Sequence, residues 1–157
     1  MRHHHAYLWT GPKARFDDEA LRRPPHPGPP PPGNRPELIE RYRQVAAEFR
    51  TSDLPPLETA DWLVKPRSLV RGTWEEPKEA ADRLGERLAE YAPPRFATEP
   101  DRDPARLTRL VQTATERLHA GADVSYGYYL DRPTYLTLAV VTCTPNRATP
   151  QLPCPCA

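Results

Sequence analysis

Val124-Ser-Tyr-Gly-Tyr-Tyr-Leu130, then Asp131-Arg132-Pro133, then Thr134-Tyr-Leu-Thr-Leu-Ala-Val-Val-Thr-Cys143, reads as two strands joined by a tight loop. It is the one place where β-branched and aromatic residues accumulate at strand spacing. In the second run Leu136, Leu138 and Val140 share one face, and Tyr135, Thr137, Ala139 and Val141 the other. A strand that is apolar on both faces is central or covered on both sides. The first run alternates, with Val124, Tyr126, Tyr128 and Leu130 on one face. Pro133 has no N–H for a ladder, so it belongs in the loop or at a strand start. Two strands alone are marginal in water, so helices from the rest of the chain must cover them.

The helices are legible from spacing and caps. Asn34 followed by Pro36 opens the first, with Leu38, Tyr42, Val45 and Phe49 as its stripe. A short second helix is expected from Pro55 to Leu63. Thr73-Trp-Glu-Glu76 has the form of a capping box, starting a helix with Ala81, Leu84, Leu88 and Tyr91 inward and Pro93-Pro94 at its end. Asp103-Pro104 is the clearest start. It leads into the apolar face Leu107, Leu110, Val111, Ala114 and Leu118, with Gly121 as the stop. The fold class expected is α+β: three or four amphipathic helices on a C-terminal antiparallel β-hairpin.

Around that body the composition changes. Pro is 22 of 157 residues, against a usual share of about 5%. Residues 1–33 are expected to be a Pro-rich extension, 34–147 a single α+β domain, and 148–157 a disordered Pro/Cys tail. The run Arg23–Gly33 suits polyproline II. Before it, Tyr7, Leu8, Trp9 and Phe16 place large apolar area on a segment that cannot fold alone. They are expected to anchor it on a surface, of the same chain or of a protein partner or second subunit.

Charge excludes some classes. The formal net charge is +1, and a general nucleic-acid binder would carry a basic domain. No apolar run approaches the ~20 residues of a membrane span, and no secretory leader is visible, so the expected location is the cytoplasm. Abundant Ala, Arg and Pro with scarce Lys and Ile is the pattern of a GC-rich, actinobacterial genome.

Three groups of residues could carry chemistry. Cys143, Cys154 and Cys156 could hold zinc, which takes four tetrahedral ligands. The Cys154-Pro-Cys156 pair is shorter than the usual spacing, and a fourth ligand would have to come from His3, His4, His5 or His119. A redox role for the pair lacks a helix N-terminus to acidify a thiol. His119 with Asp123 and Cys143 could form a nucleophile, base and orienter, although no local signature surrounds Cys143. Tyr126, Tyr128, Tyr129 and Tyr135, with His119, could line a ligand site, but base stacking would need flanking basic residues, of which only Arg132 and Arg147 are near in sequence.

No paired carboxylates, Gly-rich phosphate loop or nucleophile elbow is present. The function expected from sequence is therefore a non-enzymatic interaction or accessory protein without a cofactor, docking through the N-terminal aromatic segment or the hairpin edge. The alternatives are a small enzyme or ligand-binding protein built on the tyrosines and His119, and a zinc-stabilised module.

Overall fold

The structure is a computed structural model and describes residues 2–92 and 95–156. In chain order it contains strand β1 (His3–Pro12), short helices α1 (Lys13–Phe16) and α2 (Glu19–Arg22), and helix α3 (Pro36–Thr51). Two 3-10 segments (Thr59–Val64 and Arg67–Leu69) and strand β2 (Gly72–Trp74) follow, then helices α4 (Pro77–Tyr91), α5 (Glu99–Arg102) and α6 (Pro104–His119). Strands β3 (Val124–Tyr129) and β4 (Thr134–Cys143) complete the fold. Among the described residues no helix is long and apolar enough to cross a membrane.

The two-faced apolar pattern of β4 is satisfied in both directions. β4 lies inside a four-stranded antiparallel sheet of order β2-β1-β4-β3. One neighbour is the expected hairpin partner β3, in register from Val124 opposite Val140 to Tyr129 opposite Tyr135. The other neighbour is β1, paired along its whole length from His3 opposite Cys143 to Pro12 opposite Thr134. Residues 1–33 are thus not an extension outside the domain: their first third is an inner strand of its sheet. Alternation explains why. His3, His5, Tyr7 and Trp9 fall on one face, and His4, Ala6 and Leu8 on the other, which is strand period. The run Arg23–Gly33 is neither helix nor strand and links α2 to α3.

One face of the sheet carries Leu136, Leu138, Val140 and Val124 and is covered by α4 and α6 through Ala81, Leu84, Leu88, Ala114 and Leu118. Asp103 caps α6 as expected, its carboxylate accepting from the Ala105 amide at 3.0 Å. Gly121 follows the helix at φ +85°, the left-handed conformation that glycine adopts without penalty. The opposite face carries Tyr7, Ala139, Val141 and Cys143 and is covered by Trp62 and Leu63 of the first 3-10 segment. Tyr7 stacks on Trp62 with ring centroids 4.7 Å apart.

Three local expectations change. α3 is capped by Arg35 rather than Asn34, with no side-chain cap bond, and of its expected stripe only Phe49 is buried; Leu38 is exposed. The Pro55–Leu63 segment forms a 3-10 turn starting at Thr59. Thr73 belongs to β2, so the capping box does not form, and α4 starts at Pro77 after Glu76. The Pro93-Pro94 stop lies outside the described residues.

Candidate metal centre

The centre is built from the two ends of the chain. On β1, His3 and His5 are two residues apart and so share a sheet face, about 7 Å along the strand. Registration against β4 sets His3 opposite Cys143 and His5 opposite Val141. β2 adds Thr73 directly opposite His5.

The other half comes from the tail after β4. Thr144 stands at φ +74°, a costly conformation for a β-branched residue. Asn146, fully buried, then organises the turn. Its Nδ2 donates to both Asp123 oxygens at 3.1 Å and to the Thr142 carbonyl at 2.7 Å. Its Oδ1 accepts from the Ala148 and Thr149 amides at 2.9 and 3.0 Å. Burial raises the Asp123 pKa, opposed by the bonds from Thr142 and Asn146. The chain is thereby turned back over the sheet, Leu152 packs against the Tyr7–Trp62 cluster, and Cys154 arrives over β1. The tail expected to be disordered is held by this network.

The resulting geometry is close. His3 Nδ1 lies 3.4 Å from Cys154 Sγ, and His5 Nε2 lies 3.5 Å from the same sulfur. The Cys156 amide donates to Cys154 Sγ at 3.4 Å. One ligand atom from each of His3, His5, Cys154 and Cys156 falls within 4.8 Å of all the others. Ligand atoms around a tetrahedral zinc stand about 3.3–3.8 Å apart, given Zn–N and Zn–S lengths near 2.0 and 2.3 Å. Small side-chain rotations close that gap. The orientation of His5 also suits a ligand. With its proton on Nδ1 it donates to Thr73 Oγ1 at 2.8 Å, leaving the Nε2 lone pair towards the sulfurs, the arrangement that outer partners impose on metal-bound histidines.

Electrostatics favour the ligating forms. Burial, reinforced by the charges of His3 and His4, lowers the His5 pKa to about 4, so its imidazole is neutral at ordinary pH. Burial pushes the Cys154 thiol up, but hydrogen bonds led by His3, with Cys143, the Cys156 amide and Thr144, outweigh it and bring the group down to about 7. No helix N-terminus is needed. Cys143 goes the other way: burial and its contact with Cys154 push it up to about 12.

The remaining sequence candidates separate. Cys143 is at the centre but not among the four ligands; its sulfur sits beneath them, 3.1 Å from His5 Nε2. His4 points to the helical side, where its Nδ1 meets Thr142 Oγ1 at 2.9 Å. His119 is exposed at the end of α6 and joins neither Cys143 nor the tyrosines, so the His119–Asp123–Cys143 arrangement does not form. Tyr126 and Tyr128 pack on the helical core, with Phe96 stacked on Tyr128 at 5.2 Å. Tyr129 and Tyr135 lie on the other face with Phe16, and the Lys13 ammonium stands 5.1–5.9 Å from these three rings. The four tyrosines therefore line no common site. Tyr7 and Trp9 are buried against the chain's own sheet, 1% and 3% exposed, so the receptor of the aromatic segment is β4 of the same chain. Leu8 packs against the helical core.

Sequence reasoning missed His3 and His5 as the paired ligands, and Thr73 as the support of His5. The spacing carried the signal: His-x-His on a strand and Cys-x-Cys on a tail are each a same-side pair. No family model matches the chain, and no curated protein or solved structure matches it.

Proposed function

We propose that this protein is a zinc-stabilised, non-enzymatic module in which one metal ion, held by His3, His5, Cys154 and Cys156, fastens the two ends of the chain together. The observation that carries this reading is the convergence of four donor atoms within 4.8 Å, two from each end. A His2Cys2 set is a structural zinc donor set, and four protein ligands leave no position for substrate. Soft thiolates with imidazoles favour zinc over magnesium or calcium. The three free cysteines fit a reducing compartment such as the cytoplasm.

Native mass spectrometry of tag-free protein tests the reading. Wild type is expected to retain about one zinc per chain, and the Cys154→Ser/Cys156→Ser variant none. Zinc retained equally by both would reject the assignment.

A second reading keeps protein–protein interaction and is supported by the edge position of β3 in the sheet. The Ala97 amide bonds the Tyr129 carbonyl at 3.0 Å, covering one end of that edge, while Ser125 and Gly127 are exposed. Such an edge accepts an added strand from a second copy. Light scattering on wild type and Ser125→Pro tests it: a dimer lost in the variant supports strand addition, and a monomer in both rejects it.

A further inference from the structure

Cys143 is a fully buried thiol that the four-ligand centre does not use. Its sulfur is nevertheless in direct contact with one of the ligands, 3.1 Å from His5 Nε2. His5 Nε2 is shared between two sulfurs, Cys143 at 3.1 Å and Cys154 at 3.5 Å. The Thr144 hydroxyl lies 3.6 Å from Cys143 Sγ, in the left-handed turn that sends the tail back over it. The two thiols differ in access. Cys154 lines an open groove with His3, Thr144, Pro145 and Leu152; Cys143 does not.

We propose that Cys143 is the resolving thiol of an oxidation switch at this centre: peroxide oxidises Cys154, Cys143 captures it as a disulfide, and the metal loses a ligand and leaves. The release step rests on the zinc reading above; the disulfide step rests on the sulfur geometry alone. Hydrogen peroxide reaches Cys154 through the groove and transfers one oxygen to the thiolate, giving sulfenic acid and hydroxide; the hydroxide takes up the proton that the Cys154 thiol had released and leaves as the first water. The Cys143 sulfur then attacks the Cys154 sulfur. The S–S bond forms, the S–O bond breaks, and the thiol proton leaves with the hydroxide as a second water. In sum, two thiols and one hydrogen peroxide give one disulfide and two waters.

Geometry selects the pair. Cys154 is the accessible member and an ordinary target on the oxidation ladder. Cys143 is closed to solvent, and its sulfur meets the same nitrogen, His5 Nε2, as the sulfur of Cys154. Cys156 is exposed and remains as a free thiol, which gives the odd cysteine count a use. One clip is exchanged for another: the metal is lost, but a covalent bond from β4 to the tail keeps Cys154 over the sheet. The products differ in what the centre offers. Reduced, it holds a metal; oxidised, it offers His3, His5 and Cys156, one ligand short of a closed site.

The test uses the full chain, purified without a tag, zinc-loaded and separately zinc-free, and treated with hydrogen peroxide. Peptide mapping is expected to find a Cys143–Cys154 disulfide in both samples. A chromophoric indicator is expected to report zinc release from the loaded sample in step with disulfide formation. With Cys143→Ala, checked for folding by circular dichroism, Cys154 should instead proceed to the sulfinic acid, adding two oxygens. A Cys154–Cys156 bond, or no bond involving Cys143, in folded wild type overturns the proposal while leaving the metal centre standing. A Cys143–Cys154 bond in a protein that never takes up zinc overturns the release step together with the metal reading.

Discussion

His5 shows how a polar residue is accommodated inside a sheet. It is fully buried, yet both ring nitrogens have partners, Thr73 on β2 and the sulfur of Cys143 on β4. Buried polar groups persist when so satisfied. Lys65 is the harder case. It is 5% exposed, its ammonium donates to the Phe49 carbonyl at 2.5 Å, and it stands 4.3 Å from the Phe49 ring. Burial lowers its pKa from 10.5 to about 8, against the opposing pull of Asp53 and Asp61. Between those two values the unfolded chain binds more protons than the folded one, so this residue's contribution to stability rises with pH through that window. Below about pH 8 the cost of the buried charge is complete. The difference in unfolding free energy between wild type and Lys65→Met should therefore move in favour of wild type from about pH 7.5 to about pH 10. Denaturant titrations at several pH values measure it, and a flat difference would contradict the assignment. Neither residue was legible in sequence. Three histidines after Arg2 look solvated, and what makes His4 and His5 core, Thr73, Thr142 and Cys143, lies about 70 and 140 residues away along the chain in partners that only the register supplies.

At the scale of elements, β4 and α6 were readable because each carries its own evidence. β4 has two apolar faces, and α6 has a cap, a proline and a continuous stripe. β1 was not, because five of its ten residues are His, Gly or Pro, and its alternation matters only once β4 is known to lack a second neighbour. The capping box failed for a related reason: Thr73 gains more as a strand residue bonded to His5 than as a cap. Gly85 illustrates competing magnitudes. Its helix propensity costs about 1 kcal/mol relative to Ala, but a Cβ there would meet Val111 Cγ2 at 2.5 Å across the α4–α6 crossing. Val is stiff at χ1, so overpacking, at about 1–3 kcal/mol, outweighs the propensity gain. Gly85→Ala should lower stability in denaturant unfolding; an increase would mean the helices do not pack this closely. Leu138→Ala, at a position 3% exposed between the helical layer and the sheet, should cost about 2–5 kcal/mol. Trp9→Ala should cost about 3–5 kcal/mol with no change in mass by sedimentation, because its ring is buried within the chain. A change in oligomeric state without loss of stability would instead restore the segment as an anchor on a partner.

For the whole molecule, the consequence of the topology is that the chain's beginning and end meet. β1 is an inner strand, and the segment after β4 folds back onto it, bringing Cys154 against His3 and His5. The sequence showed the ligand types without showing that they converge, since spacing along a chain does not reveal which sheet face a returning tail will cross. Removing residues 148–157 should therefore lower the melting temperature of the metal-loaded protein well beyond the few degrees that about 1 kcal/mol produces, while changing that of chelator-treated protein much less. Equal melting temperatures for the full and shortened chains in the presence of zinc would show that the tail carries no clip. The most direct measurement is X-ray absorption at the zinc edge of the metal-loaded full chain. A shell of two sulfurs at about 2.3 Å and two imidazole nitrogens at about 2.0 Å is expected. A shell of nitrogen and oxygen alone, or one with sulfur from a single cysteine, would contradict it.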